Sequence, residues 1–225
     1  MYKVYIGYDS KEVDAYNACV NSLLTHSTIP IEIIPLKIND LRSKGVYWRD
    51  TDILSSTEFT FTRFLVPFLE NYNGVALFCD CDFIFLEDIA TLFTLQDDTK
   101  AVQCCKHQYT PSTKTKMDGA TQYIYPRKNW SSLVIYNCNH PANKVLTPEL
   151  INRETGQFLH RFMWLADEEI GDIPIQWNWL TDWYNEPEDG HPKALHFTQG
   201  GPWHNSYSKC KYSDVWLKYD TKARV

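Results

Sequence analysis

Between Lys3 and Cys79 the sequence alternates between apolar strand-like runs and segments of helical spacing, and this alternation restricts the fold more than any other feature. Lys3-Val4-Tyr5-Ile6-Gly7-Tyr8-Asp9 reads as a first strand, followed by Ser10 as the N-cap of a helix over about 11–25. In that helix Val13, Tyr16, Ala18, Val20, Leu23 and Leu24 recur at helical intervals. Ile31–Leu36 is a second strand, which Pro35 confines to a sheet edge because proline has no N–H for the ladder. Residues 55–72 are again helical, Gly74 follows, and Val75–Cys79 is a buried strand. Strand–helix–strand order of this kind implies an α/β domain whose central sheet is mixed but mainly parallel and flanked by helices.

Further along, 101–105 reads as a short strand and 107–130 as a polar loop or hairpin with the character of a lid. Residues 132–137 return to strand, 156–166 are helical, 173–179 extended, and 193–197 form a last core strand. There is no internal repeat or low-complexity segment. With 225 residues, 44% of them hydrophobic, one domain over 1–225 with one substantial core is the economical reading.

Charge and composition exclude some functions. A net charge of −6 argues against general binding to nucleic acid or to anionic membranes. No apolar segment approaches the roughly 20 residues of a membrane span, and the first residues enter a strand pattern directly. The seven cysteines are an odd number and several lie in apolar runs, so reduced thiols in a cytoplasmic setting are expected. Eight tryptophans and fourteen tyrosines suit a carbohydrate site, but also core packing or an interface.

The chemistry concentrates in Leu77-Phe78-Cys79-Asp80-Cys81-Asp82-Phe83-Ile84-Phe85-Leu86, two carboxylates within an apolar run. They stand where a buried strand ends, the place where open α/β sheets bind ligands. The first strand ends in the same way at Tyr8-Asp9. Two close carboxylates repel, and a divalent cation compensates them; oxygen ligands with open positions suit Mn²⁺ or Mg²⁺, which would hold a diphosphate. The alternative is a strand-end turn whose carboxylates accept backbone N–H bonds. Zinc held by Cys79, Cys81 and Cys104-Cys105 lacks the usual Cys-x₂₋₄-Cys spacing, which leaves those thiols as buried spectators. A second cluster, His196-Phe197-Thr198-Gln199-Gly200-Gly201-Pro202-Trp203-His204, sets a histidine before a glycine turn that lets backbone approach a ligand. His196 is either a core histidine or a third metal ligand.

With these pieces in this order, the chain resembles GT-A nucleotide-sugar glycosyltransferases, in particular glycosyltransferase family eight. The matching segments are Val4–Asp9, Thr60–Phe64, Phe78–Asp82 and His196–Trp203, spread over nearly the whole chain. The resemblance implies a nucleotide-binding part over about 1–105 and an acceptor-side part over about 106–225. It implies a metal-dependent transferase that moves a hexose from a UDP-sugar to a glycan or other hydroxyl acceptor. Asp80, Asp82 and His196 would hold Mn²⁺ (or Mg²⁺), Tyr8 and Asp9 would contact the uridine, and Arg63 the donor sugar or phosphates. Asn137 would bind donor-sugar hydroxyls. The family's lysine before Pro-Trp is Gly201 here, so the backbone N–H groups of Gly200 and Gly201, or Lys209 or Lys211, would face the phosphate. In Trp164–Ile170, Glu168 with Asp167 beside it matches the family's acidic segment. Glu168 would act as a general base, giving inversion, or stabilise an oxocarbenium-like centre, giving retention; the bland alternative is a solvated acidic turn. Trp177, Trp179, Trp183 and Trp203 would form an acceptor platform. A domain of this size also suits one module of a larger glycosylation protein. Two other readings are a sugar-nucleotide nucleotidyltransferase, which would carry a glycine- and lysine-rich loop in place of Gly7–Glu12, and a non-catalytic carbohydrate-binding module.

Overall fold

The computed structural model describes residues 1–50, 55–108 and 126–220. Among the described residues nine strands form, in chain order: β1 (Tyr2–Gly7), β2 (Ile31–Leu36), β3 (Val75–Cys79), β4 (Phe83–Phe85), β5 (Val102–Cys104), β6 (Leu133–Asn137), β7 (Ile170–Asp172), β8 (Trp179–Leu180) and β9 (Ala194–His196). The helices are α1 (Val13–His26), α2 (Ile38–Ser43), α3 (Val66–Leu69), α4 (Ile89–Phe93), α5 (Pro148–Arg153), α6 (Gly156–His160) and α7 (Ser213–Leu217).

A six-stranded sheet has the order β2-β1-β3-β6-β5-β7, and a three-stranded sheet has the order β4-β9-β8. In the larger sheet β1 is parallel to β2 and β3, and β5 to β7, while β6 runs against both its neighbours. The expected mixed, mainly parallel α/β sheet is therefore present. β3 and β6 lie at its centre and are apolar and buried almost throughout, as strands covered on both faces must be. β2 is the edge strand that Pro35 required. Gly7 ends β1 beneath the ring of Phe59, where a Cβ would come within 2.4 Å of ring carbon, so only glycine fits there.

Several local expectations change. The helix begins at Val13, with Glu12 as its N-cap position, and Ser10 instead hydrogen-bonds Glu58. Residues 55–72 do not form one helix: turns lead into a 3₁₀ turn at Thr62–Leu65 and then the single turn of α3. Threonines at 57, 60 and 62 and Pro67 explain the break, since β-branched side chains and a missing N–H both oppose a continuous helix. The 173–179 segment is a 3₁₀ turn over Ile175–Asn178 that enters β8, and α6 stops at His160. Most of the 107–130 loop lies outside the described residues.

The main core fills the space around the larger sheet. A second cluster, including Ile84, Trp179, Leu195, Phe197 and Trp216, packs around the smaller sheet. No helix among the described residues is long and apolar enough to cross a membrane.

Candidate metal centre

Strand register brings the two sequence clusters together. β3 ends at Cys79, Asp80 follows, and its N–H donates to Ser132 O at 2.9 Å, which anchors it beside the start of β6. Asp82 directly precedes β4, whose Phe83 pairs with His196 of β9, and Phe197 N–H donates to Asp82 O at 3.1 Å. A histidine more than a hundred residues away thus reaches the second aspartate through antiparallel pairing. Its ring stacks on Phe83 with centroids 4.4 Å apart, and Nε2 lies 3.4 Å from Asp82 Oδ1. Ligand atoms of Asp80, Asp82 and His196 all fall within 4.8 Å of one another. Two carboxylates and one imidazole fit a divalent ion such as Mn²⁺ that accepts both oxygen and nitrogen. No cysteine joins this group.

Arg63 is buried, and its Nη1 donates to Asp80 Oδ1 at 2.7 Å and to Ser131 O at 2.9 Å. Its guanidinium lies 5.2 and 5.0 Å from the ring centroids of Phe59 and Phe78. It therefore braces Asp80 from behind, where the sequence led us to expect a group facing the donor. Beside it, Ser131 Oγ lies 2.8 Å from His160 Nδ1. Burial first, and the Arg63 charge second, bring His160 down to about 3, so this imidazole is neutral at physiological pH.

Tyr8 and Asp9 follow β1 at the same end of the sheet. Asp9 is buried and accepts from the N–H groups of Lys11 (2.9 Å) and Glu58 (3.0 Å), so it shapes the turn. Tyr8 carries Lys37 over its face, with Nζ 4.8 Å from the centroid.

Glu12 was not singled out by sequence, yet it borders the triad. Cys81 Sγ donates to its Oε2 at 3.6 Å, and His204 Nε2 lies 3.7 Å from its Oε1. Burial pushes Glu12 up to about 7, and Asp82 and Asp9 add to the effect. In metal-free protein the folded state therefore keeps a proton on Glu12 that the unfolded state releases near the usual glutamate value of about 4.3. Stability is then withdrawn as pH rises from about 4.3 to 7 and stays lower above that. Glu12→Gln removes this dependence, and the variant should gain about 1–3 kcal/mol relative to wild type between about pH 5 and 8. Urea unfolding in EDTA at the two pH values measures this gain.

Other expected site residues lie elsewhere. Because β6 is antiparallel to β3, Asn137 pairs with Val75 at the opposite end of the sheet from Asp80, and its Nδ2 donates to Asp98 O at 3.0 Å. Asp167 and Glu168 precede β7, which is separated from β3 by β6 and β5. Three strand spacings put them about 14 Å across the sheet, again near the wrong end. Asp167 pairs with Arg127, Glu168 is exposed, and Glu168 O accepts from Lys100 Nζ at 2.8 Å. A base or oxocarbenium role for Glu168 or Asp167 at the triad is not compatible with this placement. The acidic turn is a solvated one.

The glycine turn is also more committed than expected. Gly200 N–H donates to Phe197 O at 2.7 Å, so it does not face a phosphate. A Cβ on Gly201 would meet the Trp203 ring at 2.1 Å, which is why glycine replaces a side-chain-bearing residue there. Lys211 Nζ is held by Tyr184 O at 2.8 Å, and Lys209 is exposed. Trp177 and Trp179 are fully buried core residues and form no platform, whereas Trp183 is 39% exposed and Trp203 is half-buried.

No family model matches the chain. Over 219 residues it is 52% identical to Protein CDI of Arabidopsis thaliana, an overlap of 96% of this chain and 85% of that protein. Among solved structures it is similar to the glycosyltransferase GlyE of Streptococcus pneumoniae TIGR4, with a TM-score of 0.64 and 18% identity over 98% of this chain and 60% of that one. It is similar to the galactosyltransferase LgtC, solved with donor and acceptor sugar analogues, with a TM-score of 0.60 and 10% identity over 99% and 96% of the two chains. The bifunctional glycosyltransferase WbbM gives a TM-score of 0.60 at 15% identity, over 99% of this chain and 50% of that one. The chain thus spans half to three fifths of WbbM and GlyE. At such identities the likeness is one of fold, and the fold is that of GT-A glycosyltransferases.

Proposed function

For a chain that belongs to the family of Protein CDI of Arabidopsis thaliana, we propose the activity of a metal-dependent glycosyltransferase that moves a hexose from a UDP-sugar to a glycan or other hydroxyl acceptor. The observation that carries this reading is the convergence of Asp80, Asp82 and His196 at the carboxyl end of β3, within a GT-A fold. Asp80, Asp82 and His196 would hold Mn²⁺ or Mg²⁺. When bound, the ion supplies neutralisation of the charge that builds on UDP as the glycosidic bond breaks.

The chain's own groups bind and position. Arg63 fixes one oxygen of Asp80, and the backbone bonds of Asp80 to Ser132, before β6, and of Asp82 to Phe197, after β9, hold both carboxylates in place. Tyr8 and the turn shaped by Asp9 stand at the end of β1, next to β3 in the sheet, where the nucleoside of a donor would lie. No carboxylate of the 167–169 turn serves as a base, so the reaction rests on departure of the leaving group. The burial of Trp177 and Trp179 takes two of the four tryptophans expected to form a platform away from a purely carbohydrate-binding module.

The proposal is tested by incubating the protein with Mn²⁺ and each of a panel of UDP-hexoses and UDP-N-acetylhexosamines, and following UDP release. Release from a UDP-hexose, abolished by EDTA, is the expected result; no release from any donor, with or without added oligosaccharide acceptors, contradicts it.

A further inference from the structure

The imidazole of His196 is held by a buried polar chain whose direction is set at its far end. Asn129 O is a carbonyl and can only accept, so Ser132 Oγ, at 2.7 Å, donates its proton there. With that proton committed, Ser132 Oγ accepts from Asn178 Nδ2 at 2.9 Å. This orients the Asn178 amide and leaves Oδ1 facing His196 Nδ1 at 2.8 Å. An amide oxygen only accepts, so Nδ1 of His196 must carry the ring proton. Its Nε2 then keeps a lone pair directed at the Asp82 carboxylate, 3.4 Å away.

We propose that Asn178, oriented by Ser132, is a positioning residue that fixes His196 in the Nδ1–H tautomer, so that Nε2 is ready as a ligand before any metal arrives. Asn178 is wholly inaccessible and Ser132 is buried, so water does not compete for these bonds. The second His196 nitrogen is thereby tied as in metal sites generally, where the partner of the non-ligating nitrogen selects the tautomer and raises ligand basicity. The Asn178 side chain also acts on His107, whose Nδ1 is 2.8 Å from Tyr184 Oη. Burial keeps His107 neutral, so no second positive charge competes for Asn178 Oδ1. The purpose of the tautomer rests on the proposed metal role, but the tautomer itself does not.

The test uses ¹⁵N-histidine-labelled, metal-free protein at about pH 8.5, above the usual histidine range, with two-bond ¹H–¹⁵N correlations that report which ring nitrogen is protonated. Mn²⁺ affinity is measured in parallel by the electron paramagnetic resonance of free Mn²⁺. Wild-type His196 should be protonated at Nδ1 alone. Asn178→Asp should keep that form, since a carboxylate also only accepts. Ser132→Ala frees the amide to turn over, so both tautomers should appear and Mn²⁺ affinity should fall by about 10-fold, the lower end for loss of an outer partner. A wild-type ring protonated at Nε2 overturns the inference, and so does a Ser132→Ala protein identical to wild type in tautomer and affinity. The predicted tautomers in a protein that binds no Mn²⁺ would support the inference on the ring while removing the metal reading.

Discussion

Asp82→Asn should weaken Mn²⁺ binding by at least about 100-fold, the upper end of what loss of an outer partner costs, because it removes a ligand charge while leaving shape and fold intact. The fold is spared because Asp82 is held through its backbone carbonyl, which accepts from Phe197 N–H whatever the side chain. What changes is the charge: an amide oxygen still points toward the cation position, 3.4 Å from His196 Nε2 in the native arrangement, but carries no formal negative charge. Free-Mn²⁺ resonance measures the effect, with the melting temperature as a control. Unchanged affinity in a folded Asp82→Asn protein would remove Asp82 from the site.

Arg63→Met should have the largest effect on stability. The guanidinium is buried, and its partners are a mostly buried Asp80 carboxylate and the Ser131 carbonyl. Methionine fills much of the space between Phe59 and Phe78 but cannot make the two bonds that Nη1 donates to Asp80 and Ser131. Removing one member of a buried ion pair typically costs about 3–5 kcal/mol. At about 2–4 °C per kcal/mol for a chain of this size, Tm should drop by roughly 6–20 °C. A Tm within about 2 °C of wild type, in thermal unfolding followed by circular dichroism, would show that Arg63 is not the brace of Asp80.

Much of this site was legible in the sequence because each signal was local. Two aspartates in an apolar run imply a strand end, and a histidine before a glycine turn implies close backbone approach; pairing of β4 with β9 then joins them. Asn137 was misplaced by the direction of its strand, and Asp167 and Glu168 because they precede a strand that runs with β3 instead of following one. Hydrophobic pattern finds a strand but not its direction within the sheet, and the reversal of β6 sends Asn137 to the far end. The 55–72 segment misled because its apolar spacing is helical while its threonines and proline are not. Asn178 and Ser132 lay within segments read only as extended. A lone amide between Trp177 and Trp179 was the available signal, since a polar side chain in so apolar a setting must be buried with partners. Of the four tryptophans expected to form a platform, Trp177 and Trp179 proved to be core.

We propose that the Asp80–Asp82–His196 cluster is a cation site that holds a nucleoside diphosphate. Calorimetric titration of the protein with UDP, in Mn²⁺ and again in EDTA, tests it most directly. Binding that is strong with Mn²⁺, weak in EDTA and lost in an Asp80→Asn, Asp82→Asn double variant is the predicted result. UDP binding of equal strength in all three cases, or none even with Mn²⁺ present, would contradict it.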